Sequence, residues 1–297
     1  MRGIRPLRPM AALALFVAGS VAVTACGSGG AASGGAGQGQ GGGRSERAER
    51  ARLVSAAWKD SEAAKVWREG YYPLGDPVRL PEGAFRNEAD KRAYLGRSFE
   101  LRGTLPDPAG AKGAEGKVRW RAGGSLTVPV DSARASYERL DQGEGPGPAL
   151  VVTGARFGST SVLTSRGPAT VPAWHFTLKG YDTPLTRVAV TGAEKDLEPP
   201  IEPLEMPTDD LAPLGGLASV SKDGRRVTVR AEHGSCDDGP AVDVAETGDS
   251  VVLSGWVRGT SDGPCKSDLR IKKVTVELDA PVGERLLLDA FTGMPVS

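Results

Sequence analysis

From Ser98 onward the apolar residues recur at every second position, a period that argues for strands and against a helical bundle. Phe99, Leu101 and Gly103 share one parity while Glu100 and Arg102 take the other. Val118 and Trp120 repeat the pattern, and Leu126, Val128 and Val130 resume it after the Gly123-Gly124 turn. Such a period sends alternate side chains to opposite faces of an extended chain. Strands are also expected at about 149–156, 159–164, 170–178 and 186–190, with one helix over 132–140. The 41 glycines and 22 prolines, against few aromatics, fit loop-rich β structure.

Ahead of these strands, Ser45 to Arg68 predicts a helix. Ser45 stands as N-cap, Leu53, Val54, Ala57, Trp58, Ala64 and Trp67 recur near helical spacing, and Gly70 and Pro73 end it. A second helix over Glu88–Leu95 has Asn87 as cap and Gly96 as terminator. Between Gly192 and Gly216 the pattern breaks. Five prolines fall within 199–213 among Glu194, Asp196, Glu198, Glu202, Glu205, Asp209 and Asp210, which predicts an extended, partly stiff connector with solvated acids. Alternation then resumes at Val227, Val229 and Ala231, and at Val251, Leu253 and Val257. Leu269 and Ile271 share one parity, whereas Val274, Val276 and Leu278 share the other, so a β-bulge is expected near Lys272-Lys273.

The expected class is mainly β with a short helical N-terminal segment (α+β): two β-sandwich or barrel-like domains joined by a Pro- and acid-rich linker. A helical segment plus first β domain would occupy 44–191, the linker 192–214, and a C-terminal β-sandwich domain 215–297.

The N-terminus carries an address. Arg2, Arg5 and Arg8 precede an apolar stretch from Met10 to Val23, which ends in Val23-Thr24-Ala25-Cys26-Gly27. A basic start, a short apolar run and small residues before a cysteine are the pattern of a lipoprotein signal peptide over 1–25, with Cys26 as the lipidated residue. The run is shorter than the roughly 20 residues a spanning helix needs. Residues 26–43 are nearly all Gly, Ala, Ser and Gln, a flexible tether with a reach of roughly 20–25 Å. This predicts a protein held by lipid at the outer face of the cytoplasmic membrane.

With Cys26 assigned to lipid, Cys236 and Cys265 remain, an even pair in an oxidising compartment. They are expected to form a structural disulfide, contributing roughly 3–4 kcal/mol by loop closure. Formal net charge is +0, and removing three signal-peptide arginines leaves about −3 by that arithmetic. Nucleic acid is therefore not an expected partner.

Two stretches carry a resemblance. Residues 164–176, Thr-Ser-Arg-Gly-Pro-Ala-Thr-Val-Pro-Ala-Trp-His-Phe, resemble a segment of secreted actinobacterial proteins. Glu277 to Arg285, followed by Asp289-Ala290 and Thr292-Gly293, resembles the ending of uncharacterised streptomycete-type lipoproteins. The resemblance implies a secreted lipoprotein of that type and carries over no catalytic residue.

No catalytic, cofactor or metal assignment follows from the residues. His175 is expected as a packed or surface imidazole in a strand, and His233 lies beside Cys236. Gly-x-Ser-x-Gly, His-Glu-x-x-His and phosphate-loop patterns are missing. Asp237-Asp238-Gly239-Pro240 reads as a turn rather than a calcium loop. Aromatic and arginine side chains are enriched at binding hot spots, so Trp120, Arg166 and Trp174 form a candidate partner surface, against the alternative that both tryptophans pack in a core. The leading expectation is a non-enzymatic binding or assembly module whose partners are the membrane, through its anchor, and an envelope protein or wall glycan. The alternative is a cell-envelope hydrolase or transport accessory with a dispersed site.

Overall fold

A computed structural model describes residues 39–106, 114–143, 147–192, 197–259, 266 and 268–297. Residues 1–25, Cys26, the tether up to residue 38 and Cys265 lie outside the described residues. Gly39–Ser297 groups as one compact unit, and the fold is mainly β.

Two helices replace the single one expected over Ser45–Arg68. Helix α1 spans Gly39–Trp58 and α2 spans Glu62–Glu69. Between them Asp60 takes a left-handed φ of 56°, which aspartate tolerates better than most residues. Ser61 then caps α2 by accepting a bond from the Ala64 N–H at 3.1 Å. Ser45 is not a cap: it lies inside α1, and its hydroxyl donates to the Gly42 carbonyl at 2.8 Å. The helix starts upstream of the expected tether end, and within it Gly43 presses against Asp210, where a Cβ would collide with the carboxylate.

The first β region is a seven-stranded sheet. Strands β1 (Val78–Arg79), β7 (Leu185–Val188), β6 (Gly167–Leu178), β3 (Glu115–Trp120) and β4 (Ser125–Pro129) follow in that spatial order. The other side of β6 pairs with β5 (Leu150–Thr164), which pairs in parallel with β2 (Phe99–Leu101). Helices α3 (Glu88–Leu95) and α4 (Ala133–Leu140) cover one face. There Ala93, Tyr137 and Leu140 bury Phe99, Trp174, Phe176 and Leu185. Asn87 and Ser132 cap the two helices.

Strand β5 runs through both segments expected at 149–156 and 159–164. The gap expected at 157–158 is continuous strand: the register shifts earlier, between Val152 and Gly154, and Gly158 lies against a side chain described below.

The C-terminal half has three layers. Strands β10 (Gly239–Glu246), β11 (Ser250–Arg258) and β13 (Leu286–Asp289) form one sheet; β12 (Arg270–Glu277), β9 (Arg226–His233) and β8 (Leu214–Val220) form another. Val227, Val229, Val251, Leu253 and Val276 fill the space between them. The outer face of the first sheet is covered by α1 and α2, where Val54, Trp58 and Ala64 pack on Val252, Leu286 and Leu288. With both faces covered, Ser250–Gly255 is buried at every position and loses the alternation of a half-exposed strand.

The bulge expected near Lys272-Lys273 is not there. Strand β12 pairs with β9 in unbroken register from Arg270–His233 to Glu277–Arg226. The apparent parity slip arises because Leu269 and Ile271 face solvent, 68% and 61% exposed.

The proline-rich connector is docked rather than free. Leu197 and Leu211 join the core under α1, and the Ala212 N–H donates to the Gly255 carbonyl at 2.8 Å. Asp210 departs from simple solvation, since it pairs with Arg47 at 3.4 Å. Arg47 is 5% exposed, also pairs with Asp243 at 2.7 Å, and stacks its guanidinium 4.3 Å from the Trp256 ring.

Candidate binding groove

The pairing registers of four adjacent strands place four polar side chains in one row. Arg156 of β5 pairs with His175 of β6, His175 with Thr186 of β7, and Thr186 with Arg79 of β1. Directly paired residues share a face, so the row crosses the sheet on one side. Its ends are about 14 Å apart, three strand spacings. This face lies opposite Trp174 and Phe176, whose alternation with His175 sends the rings into the core under α4.

A concavity of about 660 Å³ lies over the row, lined by Arg79, Arg156, His175, Thr186, Thr170 and Glu82 among others. Thr160 and Thr183 add hydroxyls, while Ser161, whose pairing with Thr170 puts its side chain on the Trp174 face, contributes its backbone carbonyl. Arg79 is held in place by donating from Nη2 to the Ser161 carbonyl at 2.7 Å. Arg156 is exposed and makes no ion pair among the described residues. An adjoining cavity of about 410 Å³ shares Arg79 and Thr186 and continues past Val78, Val162 and Val188 to Asp76.

His175 sits at the centre. Its Nδ1 lies 2.9 Å from the Thr186 hydroxyl, which is buried. Burial first, and then the Arg156 charge, hold the imidazole pKa below its ordinary value, while the Ser159 backbone acts the other way. The ring is therefore neutral at neutral pH. Gly158 makes room for it: a Cβ there would stand 2.7 Å from Nε2 and 2.9 Å from Cδ2. Gly158→Ala is expected to push the ring off Thr186 and to lower stability by about 1–3 kcal/mol, as overpacking does. Urea unfolding and the His175 ring resonances would measure both effects. Parent-like stability with unmoved resonances would show that the close approach carries no weight.

Of the surface expected at Trp120, Arg166 and Trp174, both tryptophans are internal. Trp120 and Trp174 are 5% and 3% exposed. Trp120 donates its Nε1 proton to the Thr164 hydroxyl at 3.0 Å, and Trp174 donates to the Asp131 carbonyl at 2.8 Å. Arg166 stacks 3.7 Å from the Trp120 ring and donates to the Glu69 carbonyl at 2.8 Å, tying the β5–β6 turn to α2. Buried area and indole hydrogen bonds make these rings part of the core.

His233 lies elsewhere, at the end of β9. Its Nδ1 is 2.9 Å from Asp237, whose carboxylate also accepts from the Gly234 and Gly239 N–H groups at 2.6 and 2.8 Å. These bonds bind Asp237 into the turn that carries Cys236. Among the described residues, no group of three or more His, Cys, Asp or Glu side chains is arranged to hold a metal ion.

Of the groove residues, only His175 is visible to sequence reasoning. Arg79, Arg156 and Thr186 are brought together by register, which the sequence does not display. Gly158 is the one signal within reach, because glycine inside an apolar-alternating strand marks a close approach. What fold and groove define together is a mainly β protein with a basic, polar groove across four strands. Comparison with protein-family models, curated proteins and solved structures finds no match to this chain.

Proposed function

We propose that the chain is a lipid-anchored extracellular binding or assembly module, of the streptomycete-type lipoprotein class its sequence resembles. It is held through Cys26 at the outer face of the cytoplasmic membrane. The groove of Arg79, Thr186, His175 and Arg156 is the observation that carries the binding reading. Guanidinium groups at both ends of a row that holds the Thr186 hydroxyl and the His175 imidazole suit recognition of a polar envelope ligand, such as a wall glycan or an anionic segment of an envelope protein.

The export reading is supported separately by the basic, apolar and small-residue pattern ending at Cys26. The proposed Cys236–Cys265 disulfide is supported by the Ser235 hydroxyl, which donates to the Lys266 carbonyl at 3.1 Å. That bond brings the neighbours of the two cysteines together, and adjacent Cα atoms are only about 3.8 Å apart.

Cys26→Ala is expected to move the protein out of the membrane fraction while leaving the folded region intact. Retention of this variant in the membrane fraction would overturn the anchor. For the binding reading, wall-glycan fragments and envelope proteins are titrated against the full chain and against Arg156→Gln. Saturable binding that weakens in the variant is expected. Turnover of a titrated compound, or binding untouched by the substitution, would overturn it.

A further inference from the structure

We propose that the groove takes a phosphate ester bearing free hydroxyl groups, with the phosphate held by Arg79 and Arg156 and the hydroxyls met by Thr160, Thr183 and Glu82. This rests on the binding reading above and adds the ligand's chemistry. The two guanidinium groups approach from opposite ends of the row, which begins on β5 and ends on β1. A phosphate presents acceptor oxygens in several directions, so two planar forks can engage one group. A carboxylate offers two coplanar oxygens and fewer acceptor directions, so it suits two non-coplanar forks less well.

Arg156 has no competing acid partner among the described residues, and Arg79 is positioned by the Ser161 carbonyl. Glu82 is the acid that lines the main cavity. It accepts from ligand hydroxyls and disfavours a second anionic group beside it. Asp76 does the same at the far end of the adjoining cavity, where Val78, Val162 and Val188 accommodate the carbon skeleton of the ester. The groove is thus cationic at the row, carries the Thr160 and Thr183 hydroxyls beside it and is acidic at its margins. That distribution fits one phosphate with a polyol body better than a uniform polyanion.

Two sources share this chemistry, a soluble polyol phosphate and a phospholipid headgroup. Calorimetric titration of the full chain with sn-glycerol 3-phosphate, inorganic phosphate and glycerol tests the first. Glycerol phosphate is expected to bind more tightly than inorganic phosphate, glycerol is expected not to bind, and affinity should fall as salt rises. Arg156→Gln and Arg79→Gln should each weaken glycerol phosphate binding about tenfold or more, from loss of a charge-assisted contact. Arg79→Lys, which keeps the charge and loses the fork, should fall between. Vesicle flotation with the Cys26→Ala protein tests the second source, because without the anchor any retention reports the groove. Retention on phosphatidylglycerol vesicles but not phosphatidylcholine vesicles, lost in Cys26→Ala with Arg156→Gln, would identify a headgroup.

Absence of binding to both glycerol phosphate and phosphatidylglycerol would overturn the inference, as would equal affinity in the parent and both arginine variants. If a neutral glycan binds and Arg156→Gln abolishes it, the phosphate assignment fails and the binding reading stands. If no probe binds and one is turned over, both fail. Unchanged thermal midpoints in the arginine variants separate loss of contact from loss of fold.

Discussion

A Trp58→Ala protein is expected to lose about 3–5 kcal/mol of unfolding free energy, the range for truncating a fully buried tryptophan. Trp58 is 1% exposed and ends α1 in the core formed with Val252, Leu286 and Leu288. Its indole also donates to the Gly293 carbonyl at 2.6 Å, in the turn after β13. Two further α1 contacts reach the same region: Arg50 donates from Nε to the Ala290 carbonyl at 2.8 Å and from Nη2 to the Glu202 carbonyl at 2.7 Å. The helix therefore holds the C-terminal turn, the proline-rich connector and the inner sheet together. Urea unfolding followed by circular dichroism gives the loss directly. Trp58→Phe, which keeps most of the ring and removes the hydrogen bond, should cost less, about 1–3 kcal/mol. A loss below about 1 kcal/mol for the alanine variant would mean that α1 is dispensable to the sandwich, contrary to its burial.

Where a local signal set the structure, the sequence was a good guide. Asn87 and Gly96 bound α3 as expected, because a capping side chain acts on its own first turn. Alternation at Val227, Val229 and Ala231 marks the buried face of β9. Where a distant contact decided the outcome, local reading failed. Asp60 and Ser61 carry a turn and a cap inside what reads as continuous helical spacing. The parity of Leu269 and Ile271 reads as a slip only if both side chains are buried, and these two face solvent. Strand β11 hides its alternation because α1, far away in sequence, covers its second face. The tryptophans followed the same logic: arginine flanks Trp120 in sequence, yet the ring is inside and Arg166 lies over it. The groove was the least legible element, since it depends on which residue of β5 meets which of β6, β7 and β1. Register is a property of pairs, and a single strand does not state it.

The other large effect is expected at Glu246, which fastens the loop after β12 to the end of β10. Its carboxylate accepts from the Asp279 N–H at 2.7 Å, the Ala280 N–H at 3.4 Å and Arg285 Nη1 at 2.8 Å. The Arg285 and Glu246 side chains are 12% and 17% exposed. Arg285 Nη2 donates to the carbonyls of Ala280 and Pro281, while its Nε is buried without a hydrogen-bond partner among the described residues. Removing the acid alone strands a largely buried cation, so Glu246→Ala should cost about 3–5 kcal/mol, the range for breaking a buried pair from one side. Burial raises the Glu246 pKa, but the Asp279, Arg285 and Ala280 donors together outweigh it and leave the carboxyl below its ordinary value. A carboxylate with a lowered folded pKa stabilises above its unfolded pKa, and that stabilisation is lost as pH falls through the folded value. Asp237 has the same sign: burial raises it, and the Gly239, His233 and Gly234 donors bring it below the ordinary range. Asp289 has the opposite sign, because burial raises its carboxyl more than its hydrogen bonds lower it. Its contribution therefore improves as pH falls toward its unfolded pKa. Urea midpoints between about pH 7 and pH 3 separate these contributions. The parent should weaken on the acid side, and Glu246→Gln should start lower at neutral pH and weaken less on acidification. An acid slope identical in parent and Glu246→Gln would place the acid sensitivity at Asp237 or another carboxylate and leave the Glu246 clamp without its expected linkage.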